Sequence, residues 1–230
     1  MSSFFRVIFF IAAFILISCR NKNSENNEVN PDTIYFDYKI TAEEGNDNLT
    51  IMLQYRDGDE EGETFSIKEP GKILFDGQRV AADSTNMTGI FYELNKPIGT
   101  FAGKHFISFT DINGKEYKEE FDFQPFSLLT SVADTFQRED LLFDLTGLEA
   151  EDYVRVLLTD TSFANDGINR IDTVRDGHIT ITATELQNMA SGPIQLQLIR
   201  EYERPVKKGT EAGGKLSINY SLKREFILRN

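Results

Sequence analysis

Apolar and polar residues alternate in short stretches along most of this chain. Leu49, Ile51, Leu53 and Tyr55 fall on one side of an extended segment and Thr50, Gln54 and Arg56 on the other, with Met52 as the exception. Tyr117, Phe121 and Phe123 make a second apolar row against Glu116, Lys118, Glu120 and Asp122, and Glu119 interrupts it. Val154, Val156 and Leu158 repeat the pattern, as do Ile194, Leu196 and Leu198. Near the end, Leu216, Ile218, Tyr220, Leu222, Phe226 and Leu228 hold the even positions, with Arg224 as the break. A period of two marks strands with one buried face.

Turn residues punctuate these rows. Asp76-Gly77, Asn113-Gly114 and Asp176-Gly177 each sit between alternating runs and supply the positive φ angles of tight hairpins. One helix is expected: Thr182 and Glu185 form a capping box, Glu185 to Ala190 give two short turns, and Gly192 ends them. Short strands with turns every 8 to 12 residues predict an all-β protein, and some 200 such residues exceed one immunoglobulin-like unit of about 100. The expected fold is therefore two tandem immunoglobulin-like or fibronectin-like β-sandwiches, residues 33-125 and 126-230, with the seam at Gln124-Pro125 where the Phe121–Phe123 row stops. A single larger barrel is the alternative. The segment Leu145, Thr146, Gly147, Leu148, then Asp152 to Val156, resembles the second and third strands of such modules.

The start of the chain breaks the alternation. Arg6 precedes an unbroken apolar run from Val7 to Ile17. That run is too short for a spanning helix, which needs about 20 residues, and fits the apolar region of a secretory leader. Leu16, Ile17, Ser18 and Cys19 resemble the lipobox of bacterial lipoproteins. The resemblance implies a signal peptide over residues 1-18, cleavage before Cys19, and lipidation of that thiol. A thiolate is the side chain nucleophilic enough to form a stable thioether at neutral pH, and two or three acyl chains give a lasting anchor in the lipid bilayer. Residues 19-32 are then the lipidated cysteine and a polar, aperiodic tether spanning at most roughly 45 Å. As a whole the chain is similar to two-domain lipoproteins of the Bacteroidetes type. That likeness implies a cell-envelope location and no particular activity. Arg20 differs from the aspartate that retains lipoproteins at the inner membrane, so the outer membrane is expected. Cys19 is the one cysteine, so internal disulfides are ruled out and stability rests on buried apolar surface.

The formal charge of −13 restricts the partners. Residues 33–125 carry 9 basic and 18 acidic side chains, against 12 and 16 in 126–230. Such a field repels phosphate backbones and anionic lipid, so nucleic-acid binding is disfavoured and membrane attachment must come from the lipid. Trp is absent while Phe is abundant, which lowers the expectation of a glycan-stacking surface.

Catalytic chemistry finds little support. There is no Gly-x-Ser-x-Gly elbow, and no catalytic residue, enzyme activity or cofactor is expected. Of the two histidines, His105 shares a strand face with Ile107 and Phe109 and reads as a hydrogen-bonded core residue, while His178 follows a turn and reads as exposed. The acidic run Asp57, Asp59, Glu60, Glu61 and Glu63 partly matches a calcium loop, but the position for the bidentate glutamate falls on Lys68. A long polar loop with Asp160, Asp166 and Asp172 offers further weak calcium candidates. Arg200, Tyr202, Arg204, Lys207 and Lys208, with Lys215 nearby, form a basic cluster that could dock an acidic partner patch or serve only to guard a strand edge. The expected role is a non-enzymatic binding or assembly module whose partner is another envelope protein. A calcium-dependent adhesion module and an envelope hydrolase working through carboxylates are the alternatives.

Overall fold

A computed structural model describes residues 29–129, 131–149, 152–161, 167–174 and 176–230. The expected leader, Cys19, the expected tether as far as residue 28, and Asp166 lie outside the described residues. Among the described residues there are sixteen strands: β1 Ile34–Glu43, β2 Asn48–Asp57, β3 Lys72–Phe75, β4 Gln78–Arg79, β5 Ala82–Thr85, β6 Gly89–Pro97, β7 Gly103–Thr110 and β8 Glu116–Phe123 make up the first half. The second half holds β9 Ser127–Leu128, β10 Thr135–Phe136, β11 Leu141–Thr146, β12 Tyr153–Asp160, β13 Ile168–Thr173, β14 His178–Ile181, β15 Gly192–Thr210 and β16 Gly213–Leu228. The one α-helix among the described residues, α1, spans Ala183–Gln187 and has both hydrogen bonds of the expected Thr182–Glu185 capping box. It stops short of the expected Ala190, and Arg138 donates to the carbonyls of Leu186 and Met189 where it ends.

The protein is all-β and immunoglobulin-like, built as stacked sheets. One nine-stranded sheet has the order β13-β12-β15-β16-β1-β2-β6-β5, with β10 added to β16. It is faced in the first half by β4-β3-β7-β8 and in the second by β14-β11-β9. In the second half the expected neighbours β11 and β12 lie in opposite sheets, as second and third strands do in immunoglobulin-like sandwiches.

The long hairpin of β15 and β16 departs from the expectation of two sequence-separate sandwiches. Its lower part pairs with β12, from Val154 with Arg200 to Asp160 with Ile194. Its upper part runs into the first half, where β16 pairs in parallel with β1 from Phe36 with Gly214 to Glu43 with Ser221. Residues beyond the Gln124-Pro125 seam thus contribute strands to the sheet that precedes it. The apolar rows explain why: even positions of β16 are buried from Leu216 to Leu222, so one inward face serves both halves. The core is continuous as well. Phe123 and Phe126, on either side of the seam, meet the same Tyr220 ring edge-on at 6.0 and 5.5 Å.

The expected hairpin at Asp176-Gly177 is different in kind. Both residues have positive φ, 51° and 82°. Yet β13 and β14 belong to different sheets, so this turn is a corner from one layer to the other. Gln54, expected on the solvent side of β2, is buried there and donates to Thr88 O at 2.8 Å.

Candidate binding cleft at the junction of the two halves

Two strand edges face each other where the halves meet. β8 pairs with β7 alone. β15 leaves its β12 partner at Arg200 and continues with β16 on one side only. Even residues of β15 point inward, and this row changes character at the junction: Ile194, Leu196 and Leu198 are buried, then come Arg200, Tyr202 and Arg204, then buried Val206.

Each arginine closes part of the gap. Arg200 pairs with Asp152 at 2.9 Å and donates to Gln124 O at 3.2 Å, fastening the β11–β12 connection to the seam. Arg204 lies 2.5 Å from a carboxylate oxygen of Glu119 and donates to Glu120 O at 2.7 Å. The second Glu119 oxygen accepts from the Lys207 backbone N–H at 2.8 Å. Glu119 is 2% exposed. Burying a carboxylate is costly unless a cation accompanies it, and Arg204 supplies that cation. By covering a carbonyl of the β8 edge, Arg204 also prevents another strand from adding there. Arg204 thus lies on the β8 edge, while Arg200 ties the seam to the β11–β12 connection.

Tyr202 stands between the two fixed guanidinium groups and remains 43% exposed. It overlooks a cleft of about 580 Å³ whose walls include Lys104, Lys207, Leu148, Glu149 and Tyr220. Lys104 is paired with Glu120 at 3.1 Å. Burial first, and then the Glu44 carboxylate, raise the Tyr220 phenol above its ordinary value, which keeps a neutral O–H at that position. Gly147 forms part of the wall because the chain passes so close: with φ of 83°, a Cβ there would lie 2.5 Å from Pro125 O. The arrangement can hold an extended, mixed polar and aromatic group. Arg200, Tyr202, Arg204 and Lys207 are thus brought together, whereas Lys208 is exposed beside the cleft and Lys215 pairs with Glu60 elsewhere.

Glu119, Asp152 and Gly147 were not singled out from sequence. Glu119 had a signal, being the acid that interrupts an apolar row while Arg204 interrupts another. Matching the two breaks requires knowing that β8 and β15 are neighbours, and these strands lie far apart in sequence.

The calcium candidates are dispersed. Asp160 is buried and accepts from Ala190 N–H at 2.9 Å, while Asp172 pairs with Arg170. Asp57 and Asp59 belong to the other half, where Asp59 accepts from Glu61 N–H at 2.9 Å. Among the described residues, no group of three or more His, Cys, Asp or Glu side chains is gathered to hold a metal. His105 is a core residue stacked 3.8 Å from Phe101, with its ring nitrogens 2.7 Å from Asp76 and from Phe101 O. His178 lies 3.4 Å from Asp144, its cross-strand neighbour. Among the described residues, neither histidine touches a hydroxyl that could act as nucleophile. Nor is any helix among them long and apolar enough to cross a membrane.

No family model matches the chain, and no curated protein does. Among solved structures, it is similar to the tandem IG1 and IG2 domains of DIP-gamma, with 12% identity over 86% of this chain and 98% of that one, at a TM-score of 0.24. A bacterial ice-binding adhesin gives 12% identity over 87% and 67%, with a TM-score of 0.23. The Bacteroides ovatus protein SGBP-B, solved with a mixed-linkage heptasaccharide, gives 15% over 85% and 45%, with a TM-score of 0.24. Superpositions this loose carry no inference about partner or activity.

Proposed function

We propose that this protein is a lipid-anchored, non-enzymatic binding module of the bacterial envelope that docks another envelope protein in the junction cleft around Tyr202. The observation that carries the reading is the exposed Tyr202 held between two immobilised arginines, Arg200 and Arg204. A tyrosine side chain has few rotatable bonds, and the arginines flanking it are already paired and need not reorder, which suits recognition because few degrees of freedom are lost on binding. The anchor is supported by the sequence Leu16 to Cys19, and the placement outside the inner membrane by Arg20. The net acidity supports attachment through lipid rather than through the protein surface.

A photo-activatable phenylalanine analogue in place of Tyr202, irradiated in intact cells, should capture one envelope protein in stoichiometric yield. The same analogue at exposed Leu142 should not. Equal labelling from both positions, or turnover of a cell-wall glycan by the purified protein, would overturn the binding role. The anchor is read separately: Cys19→Ser should leave the leader uncleaved and the chain without acyl groups by mass spectrometry.

A further inference from the structure

The nine-stranded sheet ends on β13, and among the described residues nothing covers this edge in the way that Arg204 covers β8. Its six residues include no proline and no lysine. Val174 N–H donates to Asp152 O at 3.0 Å, which fixes the alternation of the strand. Even residues of β13 bond to β12, so Asn169, Ile171 and Thr173 turn their N–H and C=O groups outward. On the outer face Ile171 is 54% exposed and neighbouring Tyr153 is 60% exposed. Arg170 and Asp172 lie on the opposite face, each about a quarter exposed, and pair with each other. Arg170 also contacts Glu185 and Thr180 O.

An antiparallel copy of the same strand can meet this edge only where odd residues face odd residues. Centring the pair on Arg170 would set Arg170 against Arg170, and centring it on Asp172 would set Asp172 against Asp172. Centring it on Ile171 sets Ile171 against Ile171 and each Arg170 against the other copy's Asp172, with Asn169 opposite Thr173. Like charges directly opposite are unfavourable and opposite charges favourable. Of these three two-fold registers, the one centred on Ile171 satisfies both the hydrogen-bond directions and the charges.

We propose that β13 pairs with β13 of a second copy of this chain in that register, joining the two nine-stranded sheets into one. The self-complementary order Arg170-Ile171-Asp172 selects a copy of this chain over an unrelated strand. This contact is separate from the junction cleft and does not depend on it.

The test uses the full chain in detergent with Cys19→Ser, so that the introduced thiol is the only one. Sedimentation equilibrium should show a concentration-dependent dimer. Ile171→Lys, an exposed change that leaves the fold intact, should weaken the dimer by about tenfold or more because it sets two lysines face to face. On oxidation Ile171→Cys should give a covalent dimer and Asn169→Cys should not, while mixed Asn169→Cys and Thr173→Cys chains should cross-link to each other. Arg170→Asp should weaken the dimer, and Arg170→Asp with Asp172→Arg should recover it. A chain monomeric at every concentration, an Ile171→Lys variant that dimerises like the parent, or Asn169→Cys linking as readily as Ile171→Cys would each overturn the proposal.

Discussion

Glu119 and Arg204 show what a charged residue on an apolar face is for in this protein. Removing one partner of a buried ion pair strands the other, so Glu119→Ala should lose about 3–5 kcal/mol of unfolding free energy in urea. Replacing both, as Glu119→Leu with Arg204→Met, should recover most of that stability. The same double change would reopen the β8 edge, which a rise in light scattering at high concentration would report. Glu185 gives a second, pH-dependent case. Burial pushes its carboxyl upward, but hydrogen bonds from the Thr182 backbone and hydroxyl, together with Arg170, outweigh this and leave it below its ordinary value of 4.5. The folded value is thus depressed relative to the unfolded one. Its contribution is present above pH 4.5 and fades as pH falls through the lowered value. Thr182→Ala should cost about 1 kcal/mol at neutral pH and flatten that part of the acid slope. The capping box was legible because its two residues are three apart in sequence; the Glu119–Arg204 pair was not, because only the tertiary arrangement makes them neighbours.

At the scale of elements, strand faces were legible and strand partners were not. The apolar rows of β2, β8, β12, β15 and β16 are buried as their alternation predicts, because the side-chain period belongs to the strand itself. Pairing does not. The Asp176-Gly177 turn has the local conformation of a hairpin but connects different sheets, and nothing within the dipeptide distinguishes the two outcomes. The length of β15, 19 residues, was obscured because Arg200, Tyr202 and Arg204 interrupt its apolar row and read as a basic cluster. Gly147 fixes how the β11–β12 connection meets the seam, so Gly147→Ala should cost about 1–3 kcal/mol through backbone strain and displacement of Pro125. Hydrogen exchange should separate the elements: amides of β15 and β16 should open only with global unfolding, while the exposed edge β5 should exchange far faster.

For the whole molecule, β15 and β16 act as a spine about 60 Å long, and both sandwiches are built onto it. The described chain begins beside the spine's tip, where Thr210 Oγ1 donates to Ile34 O at 2.6 Å and Glu211 N–H donates to Asp32 O at 3.0 Å. Two of the calcium candidates already have protein partners, Asp160 in the Ala190 N–H and Asp172 in Arg170. Adding calcium and then chelator should leave the melting temperature unchanged.

The account rests on the halves being one body, because a cleft formed between freely moving domains would have no fixed shape. Differential scanning calorimetry of the full chain tests this most directly. A shared spine and a core continuous through Tyr220 predict a single transition whose calorimetric and van't Hoff enthalpies agree. Two resolved transitions, with residues 126–230 melting apart from residues 33–125, would contradict it.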